Sequence, residues 1–580
     1  MRLLFGTKWK LNRNVSLLLV GFISVLTLTS LTLSGVTIVF TSILITLNQK
    51  HNPKHLVIYL LGYLLLLNIA YALPIRHGQI LPYSFLLLSL FAYGKYTGEF
   101  DLGNIRSSLL FIALTLYSVL HVTQMYFQKG AELLLHILFN LGYDQVGHFA
   151  ITRTLKDCSA FLYLCDPNST KLPLNYMFYP QQWHLLFSNF INNNSIVSAI
   201  ETYLVALLIS TLMSFFLISS AFNHFTQNVQ EMGVKNYPRI DIWKTVVLAC
   251  LYLFIAILSL LGYPNFVFAI SLFLYATTLY DYPSRTSYLL LSITLIASIS
   301  MYTLLLVPGL FIFLHRTRYF RVALWLKSVT LLVWTFFLFQ TIVIAREKNH
   351  IDFIGIGGGG INFIVITIEV ILVIGYILNR RQRRQKKVAL KGSDHELYLT
   401  NFFLLGSLLG LHVILINLGN VSGYYLSKFS YFALFIGTIN LFVSMSKIKL
   451  NIPAFFKTST SIFLLLTIFW YLIPRMPFSS PLQNFAVILS GPNEINQQRI
   501  TDILSAAQVS KQLGKPVVVI SNNSGPDTQW ANSLSGNWSA YLNSYLENPI
   551  DNDVEFRDLV FREAHKKDFL FFESKVSHGN

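Results

Sequence analysis

Cysteine, charge and metal-ligand clusters are all scarce in this chain of 580 residues. Three cysteines, Cys158, Cys165 and Cys250, are too few for a disulfide framework, and no Cys/His set has the spacing of a metal site. Charged residues make up 12% against 54% hydrophobic, which excludes a string of solvated domains as the main plan. The glycine run Ile356-Gly-Gly-Gly-Gly360 lacks the Lys-Ser/Thr that completes a phosphate loop and reads as a hinge. Acidic residues number 26 against 43 basic, for a net charge of +17. That excess does not imply nucleic acid. Its clusters, Arg316 to Arg321, Arg380 to Lys391 and Lys447 to Lys457, fall in short stretches between apolar runs. Cytoplasmic loops beside anionic lipid have this pattern.

The apolar runs match the roughly 20-residue helix that crosses a bilayer core of about 30 Å. They are continuous in Leu, Ile, Phe and Val rather than alternating, which favours helices over a barrel. The expectation is an all-α polytopic membrane bundle of about 13–15 transmembrane helices. Spans are expected near 56–74, 83–97, 107–127, 196–220, 243–261, 264–281, 285–299, 301–315, 322–345, 361–379, 400–418, 428–446 and 460–474. The basic stretch Met1 to Asn14 and the run from Val15 resemble a signal peptide, but that run continues to Leu47 and reads better as two helices turning near Ser34-Gly35. The segment 285–315 reads as two helices, or as one. After Pro474 the sequence becomes polar. Strand-like Phe485-Ala-Val-Ile-Leu and Pro516-Val-Val-Val-Ile-Ser flank a helical Asn496–Leu513, as in a small α/β domain. The expected organisation is therefore N-terminal helices (1–127), an extracytoplasmic loop (128–195), a transmembrane bundle (196–474) and an extracytoplasmic α/β domain (475–580). The amino terminus would be cytoplasmic and the carboxyl terminus outside a cell membrane.

The stretch 128–195 concentrates the chemistry. Gln128 to Asn140 has an amphipathic rhythm suited to a membrane surface. Tyr143-Asp-Gln-Val-Gly-His148-Phe-Ala-Ile-Thr-Arg153 follows, and then Tyr179-Pro-Gln-Gln-Trp183-His184. In a helix, Asp144 and His148 share one face, with Arg153 further along. Singly, each has an ordinary role: Asp144 a helix cap, His148 an interfacial imidazole, Arg153 a lipid-phosphate contact, Trp183 an interfacial anchor. Together they suit transfer of a group from a phosphate leaving group to a hydroxyl. A carboxylate takes the acceptor proton while Arg and His offset charge on the phosphate. Glu201 near a helix end could line the same cavity, whereas Glu369 and His412 lie deeper. The residues name no cofactor, although Asp144 with Asp157 or Asp166 could hold a divalent cation. Cys158 and Cys165 could pair on an oxidising side.

Asp144-x3-His148-x4-Arg153 followed by Tyr179-Pro-x-x-Trp-His184 resembles the signature of a family of mostly uncharacterised bacterial multi-pass proteins. That family is itself similar to the C-type glycosyltransferases, which use polyprenyl-phosphate sugars. Gln182 stands where the family usually has Gly. The resemblance implies a polyprenyl-phosphate sugar donor, a cell-envelope glycan acceptor and membrane lipids as partners, with no nucleic acid. It implies Asp144 as base, His148, Arg153 and His184 on the lipid phosphate or sugar, and Tyr179 and Trp183 stacked on a sugar ring. Competing readings are a transporter or flippase of a lipid-linked or polar substrate, and a non-catalytic envelope-assembly protein.

Overall fold

A computed structural model describes residues 54–72, 143–158, 181–188, 195–230, 262–278, 285–317, 327–336, 368–378, 402–409, 423–447, 497–521, 524–537 and 570–573. It also describes single residues or short groups between 135 and 162, at 191, between 247 and 259, and at 325, 366 and 380. In chain order the elements are α1 (Lys54–Ala72), α2 (Tyr143–Cys158), α3 (Gln182–Ser188), α4 (Ile196–Gln230), α5 (Pro264–Thr278) and α6 (Arg285–Met301). A 3-10 turn (Thr303–Leu305), α7 (Leu306–Thr317), α8 (Gly423–Lys447), α9 (Gln497–Leu513), β1 (Val517–Ile520), α10 (Ser524–Ser535) and β2 (Leu570–Glu573) complete the list.

Helix α5 lies at the centre of the helical layer and packs on α4 and α6. Every one of its residues from Pro264 to Thr278 is buried. A helix apolar all round belongs in such an interior, and its few hydroxyls turn inward. Ser271 Oγ donates to the Val267 carbonyl and Thr277 Oγ1 to that of Leu274. Ser298 of α6 donates to the Ala269 carbonyl across the α5–α6 seam. The 285–315 segment is two helices, broken at extended Tyr302 and the 3-10 turn that follows.

The carboxyl-terminal elements form an α/β unit. The fully buried Val-Val-Val-Ile of β1 pairs in parallel with β2, Val517 opposite Leu570 and Ile520 opposite Glu573. A continuous apolar run is expected of a parallel strand covered on both faces. Side chains of α10 complete its hydrogen bonding: Asn532 both accepts from Val517 N and donates to Val517 O, and Thr528 Oγ1 accepts from Val519 N. The helix expected at 496–513 is α9. The strand expected at 485–489 lies outside the described residues.

The structure corrects the expectation of a polytopic membrane bundle. Among the described residues, no helix is long and apolar enough to cross a membrane. The described helices differ widely in length: α1, α4 and α8 have 19, 35 and 25 residues. α5, α6 and α7 have 15, 17 and 12 residues, or about 22, 26 and 18 Å at 1.5 Å per residue against a core of about 30 Å. Turn residues at Gly262 and Tyr302 end them. The expected spans at 83–97, 107–127 and 460–474 lie outside the described residues. Exposed apolar stripes nevertheless persist. Val307, Phe311 and Leu314 line one face of α7, Trp325, Val329, Leu332 and Phe336 another helical face, and Ile366, Val370, Val373 and Ile377 a third.

Candidate functional site

Among the described residues, the stretch expected to be a loop contains helices α2 and α3, and both enter the core. Helix α2 is buried through most of Gln145 to Leu155 although it carries Gln, His, Thr and Arg. Helix α3, only seven residues long, packs against α1, α2, α5 and α6. Burying so many polar groups demands partners for them, and the pairings define the site.

His148 and His184 meet directly. Their Nδ1 and Nε2 atoms are 2.7 Å apart, and the rings stack with centroids 5.0 Å apart. His148 Nε2 lies 2.9 Å from the Gly262 carbonyl oxygen. A carbonyl only accepts, so His148 carries its hydrogen on Nε2, its Nδ1 accepts, and His184 Nε2–H is the donor. The relay thus runs from His184 through His148 to the backbone at Gly262.

Gly262 closes a helix end. Its φ of 99° requires glycine-like backbone freedom. Gly262 N donates to Ser259 O and Tyr263 N to Leu258 O, the paired bonds of a Schellman motif. Helix α2 docks on this end. Gln145 Nε2 donates to Ser259 O while Tyr203 Oη of α4 donates to Gln145 Oε1 at 2.8 Å. Burial pushes the Tyr203 phenol well above its usual range, so it stays a donor. Beside the same turn, the buried Lys428 ammonium sits over the rings of Tyr263 at 4.2 Å and Tyr302 at 5.3 Å. Buried cations over aromatic faces are stabilised by the ring quadrupole.

Arg153 serves a second helix end. Its Nη1 donates to the carbonyls of Ser533, at 3.0 Å, and Leu534, in the last turn of α10. Asp157 lies 3.7 Å from its Nε. Burial lowers the guanidinium pKa, and Asp157 acts in the opposite direction. Arg153, expected at a lipid phosphate, is buried and caps a helix end through Nη1, while its Nε makes no hydrogen bond among the described residues.

Trp183 is fully buried, enclosed by the rings of His148, His184 and Phe187, and its Nε1 donates to Ser210 Oγ at 2.8 Å. It is a packing residue rather than an open sugar platform. Gln182 forms a reciprocal amide pair with Asn68 of α1, both bonds 2.7 Å. Its side chain thus ties α3 to α1, as does Tyr71 Oη to Ser188 Oγ.

Asp144 is the second residue of α2 and Glu201 lies in the second turn of α4, and their side chains lie outside the described residues. Tyr179, Asp166, His412 and the glycine run at 356–360 lie wholly outside them. Among the described residues no group of His, Cys, Asp and Glu could hold a metal ion. Cys158, the last residue of α2, is disulfide-bonded, while Cys165 and Cys250 lie outside the described residues. Sequence reasoning overlooked Gln145, Tyr203, Lys428 and Trp530. Gln145 and Lys428 carried a signal, as polar groups beside apolar runs, whereas Tyr203 and Trp530 carried none. No protein-family model, curated protein or solved structure matches the chain.

Proposed function

We propose that this protein transfers a sugar from a polyprenyl-phosphate donor to a cell-envelope glycan, with Asp144 as the general base. The observation that carries this reading is the meeting of the two motif segments, through His148 and His184 at 2.7 Å. Asp144 lies one turn before His148 on the same helix. The bonds made by Gln145 and His148 fix that first turn against the 258–263 helix end. A base is most effective when its backbone is held rigidly by packing and hydrogen bonds behind it. In this reading His148, His184, Trp183 and Arg153 hold the site, and Asp144, Tyr179 and Glu201 are the residues that act on the substrates.

Two further observations support the setting. The disulfide at Cys158 suits the oxidising, extracytoplasmic side of a cell. The exposed stripes on α7 and along 325–336 and 366–377, with Leu332 71% and Trp325 67% exposed, call for an apolar neighbour. Membrane lipid, in which the donor's tail resides, is that neighbour, and the basic run from Arg380 to Lys391 would meet its anionic head groups.

The test is a glycan analysis of the envelope of a strain lacking the protein. Loss of one sugar linkage, restored by the wild-type gene and not by Asp144→Asn, is the expected result. A second reading, a non-catalytic envelope-assembly protein, is favoured by the burial of His148 and Arg153 inside the fold and their bonds to backbone carbonyls. Restoration of the linkage by Asp144→Asn would favour it.

A further inference from the structure

We infer that Arg153 is a positioning residue through which the carboxyl-terminal α/β unit controls the motif helix α2. Ser533 is 380 positions away in sequence, yet its carbonyl and that of Leu534 are where the guanidinium ends. These carbonyls belong to the last turn of α10, where intrahelical donors run out and the helix dipole leaves partial negative charge. Helix α10 closes with Gly536, whose N donates to Asn532 O and whose φ is +83°. A Cβ at position 536 would lie 4.0 Å from Arg153 Nη2. Arg153 is thus a charged cap from one helix on the end of another.

Apolar contacts run alongside this cap. Trp530 of α10 is buried against Phe149 of α2, ring centroids 6.0 Å apart, and against Phe139, at 5.5 Å. Arg499 of α9 adds a bond from Nη2 to the Phe139 carbonyl at 3.4 Å while paired with buried Asp527. Phe149 directly follows His148, and Arg153 lies five residues beyond it. Any movement of α10 is therefore transmitted to the histidine pair through a single rigid helix. The inference adds a role for the carboxyl-terminal unit to the proposed transfer reaction and rests on that reading only for its effect on substrates.

Hydrogen–deuterium exchange on the full-length protein tests it, with Arg153→Met, Arg153→Lys and Gly536→Ala. Arg153→Met is expected to speed exchange in both 143–158 and 524–537, by roughly 10-fold or more for charge-assisted bonds lost. Lysine, which keeps the charge without the fork, restores part of the protection. Gly536→Ala, which strains the cap from the other side, loosens both segments with Arg153 intact. Binding of polyprenyl phosphate carrying no sugar, in detergent micelles, is expected to weaken in Arg153→Met and likewise in Gly536→Ala, where Arg153 is intact. Unaltered exchange of 524–537 in Arg153→Met would overturn the inference, and so would lost polyprenyl-phosphate binding with unaltered exchange. If the wild type binds no polyprenyl phosphate while the exchange results hold, the transfer reading fails and the coupling stands.

Discussion

His184 donates its Nε2 hydrogen to His148 Nδ1 across 2.7 Å, joining two segments 36 residues apart. Removing either ring leaves a buried polar atom of the other without this partner, at about 1–3 kcal/mol. The two changes should therefore not add. In a double-mutant cycle of His148→Ala and His184→Ala, followed by denaturant unfolding, a coupling of about 0.5–1.5 kcal/mol is expected. Strict additivity would show that the contact contributes nothing.

Trp183 and Ser210 form a second buried pair. Ser210→Ala strands the indole N–H and should cost about 1–3 kcal/mol, whereas Trp183→Phe combined with Ser210→Ala removes both polar partners and should lose little beyond Trp183→Phe alone. The comparison is read from the two unfolding midpoints.

Lys156 gives a pH signature. Burial pulls its ammonium down to about 8, against the opposing influence of Asp157, while in the unfolded chain it titrates near ~10.4. Between those values the unfolded state binds more protons, so stability rises with pH across that window. Below about pH 8 the folded protein holds a desolvated cation. Lys156→Met should thus stabilise the protein at pH 7 by about 1–2 kcal/mol, after discounting for solvent screening, and flatten the rise between pH 8 and ~10.4. Urea unfolding at pH 7, 8.5 and 10 measures both effects.

Much of the helix placement was legible in the sequence because apolar periodicity marks buried helices whatever surrounds them. The turn into α5 follows from Pro264, whereas the helix break at Tyr302 has no glycine or proline beside it, so that one helix and two both fit the sequence. The membrane-spanning architecture did not follow, because composition alone does not separate a helix buried in protein from one in lipid. The meeting of the two motif segments at His148 and His184 accords with the reading of them as one site, while the side chain of Asp144 lies outside the described residues. The employment of His148 and Arg153 was not anticipated. Both cap helix ends at Gly262 and Ser533, contacts set by chain packing over 114 and 380 positions that no local pattern encodes.

Gly147 sits inside α2, and a Cβ there meets nothing within 4 Å among the described residues. Gly147→Ala should therefore raise stability by about 0.5–1 kcal/mol through reduced backbone entropy of the unfolded chain. A fall in the unfolding midpoint would show that the space is occupied.

Cys158 should resist alkylation in protein isolated without reductant, since it is disulfide-bonded, and peptide mapping should find Cys165 as its partner. Free Cys158 in such a preparation would contradict the bond, and a Cys158–Cys250 peptide would contradict the pairing.

The most direct test of the account is sugar transfer by purified Asp144→Asn protein with a polyprenyl-phosphate sugar donor. Asn keeps the shape and still caps a helix start, so folding should change by about 1 kcal/mol or less. It takes up no proton, and general-base catalysis contributes roughly 10²–10⁴ in rate. The account predicts a folded variant with transfer reduced by about that factor. Transfer at near wild-type rate would contradict it and leave Asp144 as a helix cap.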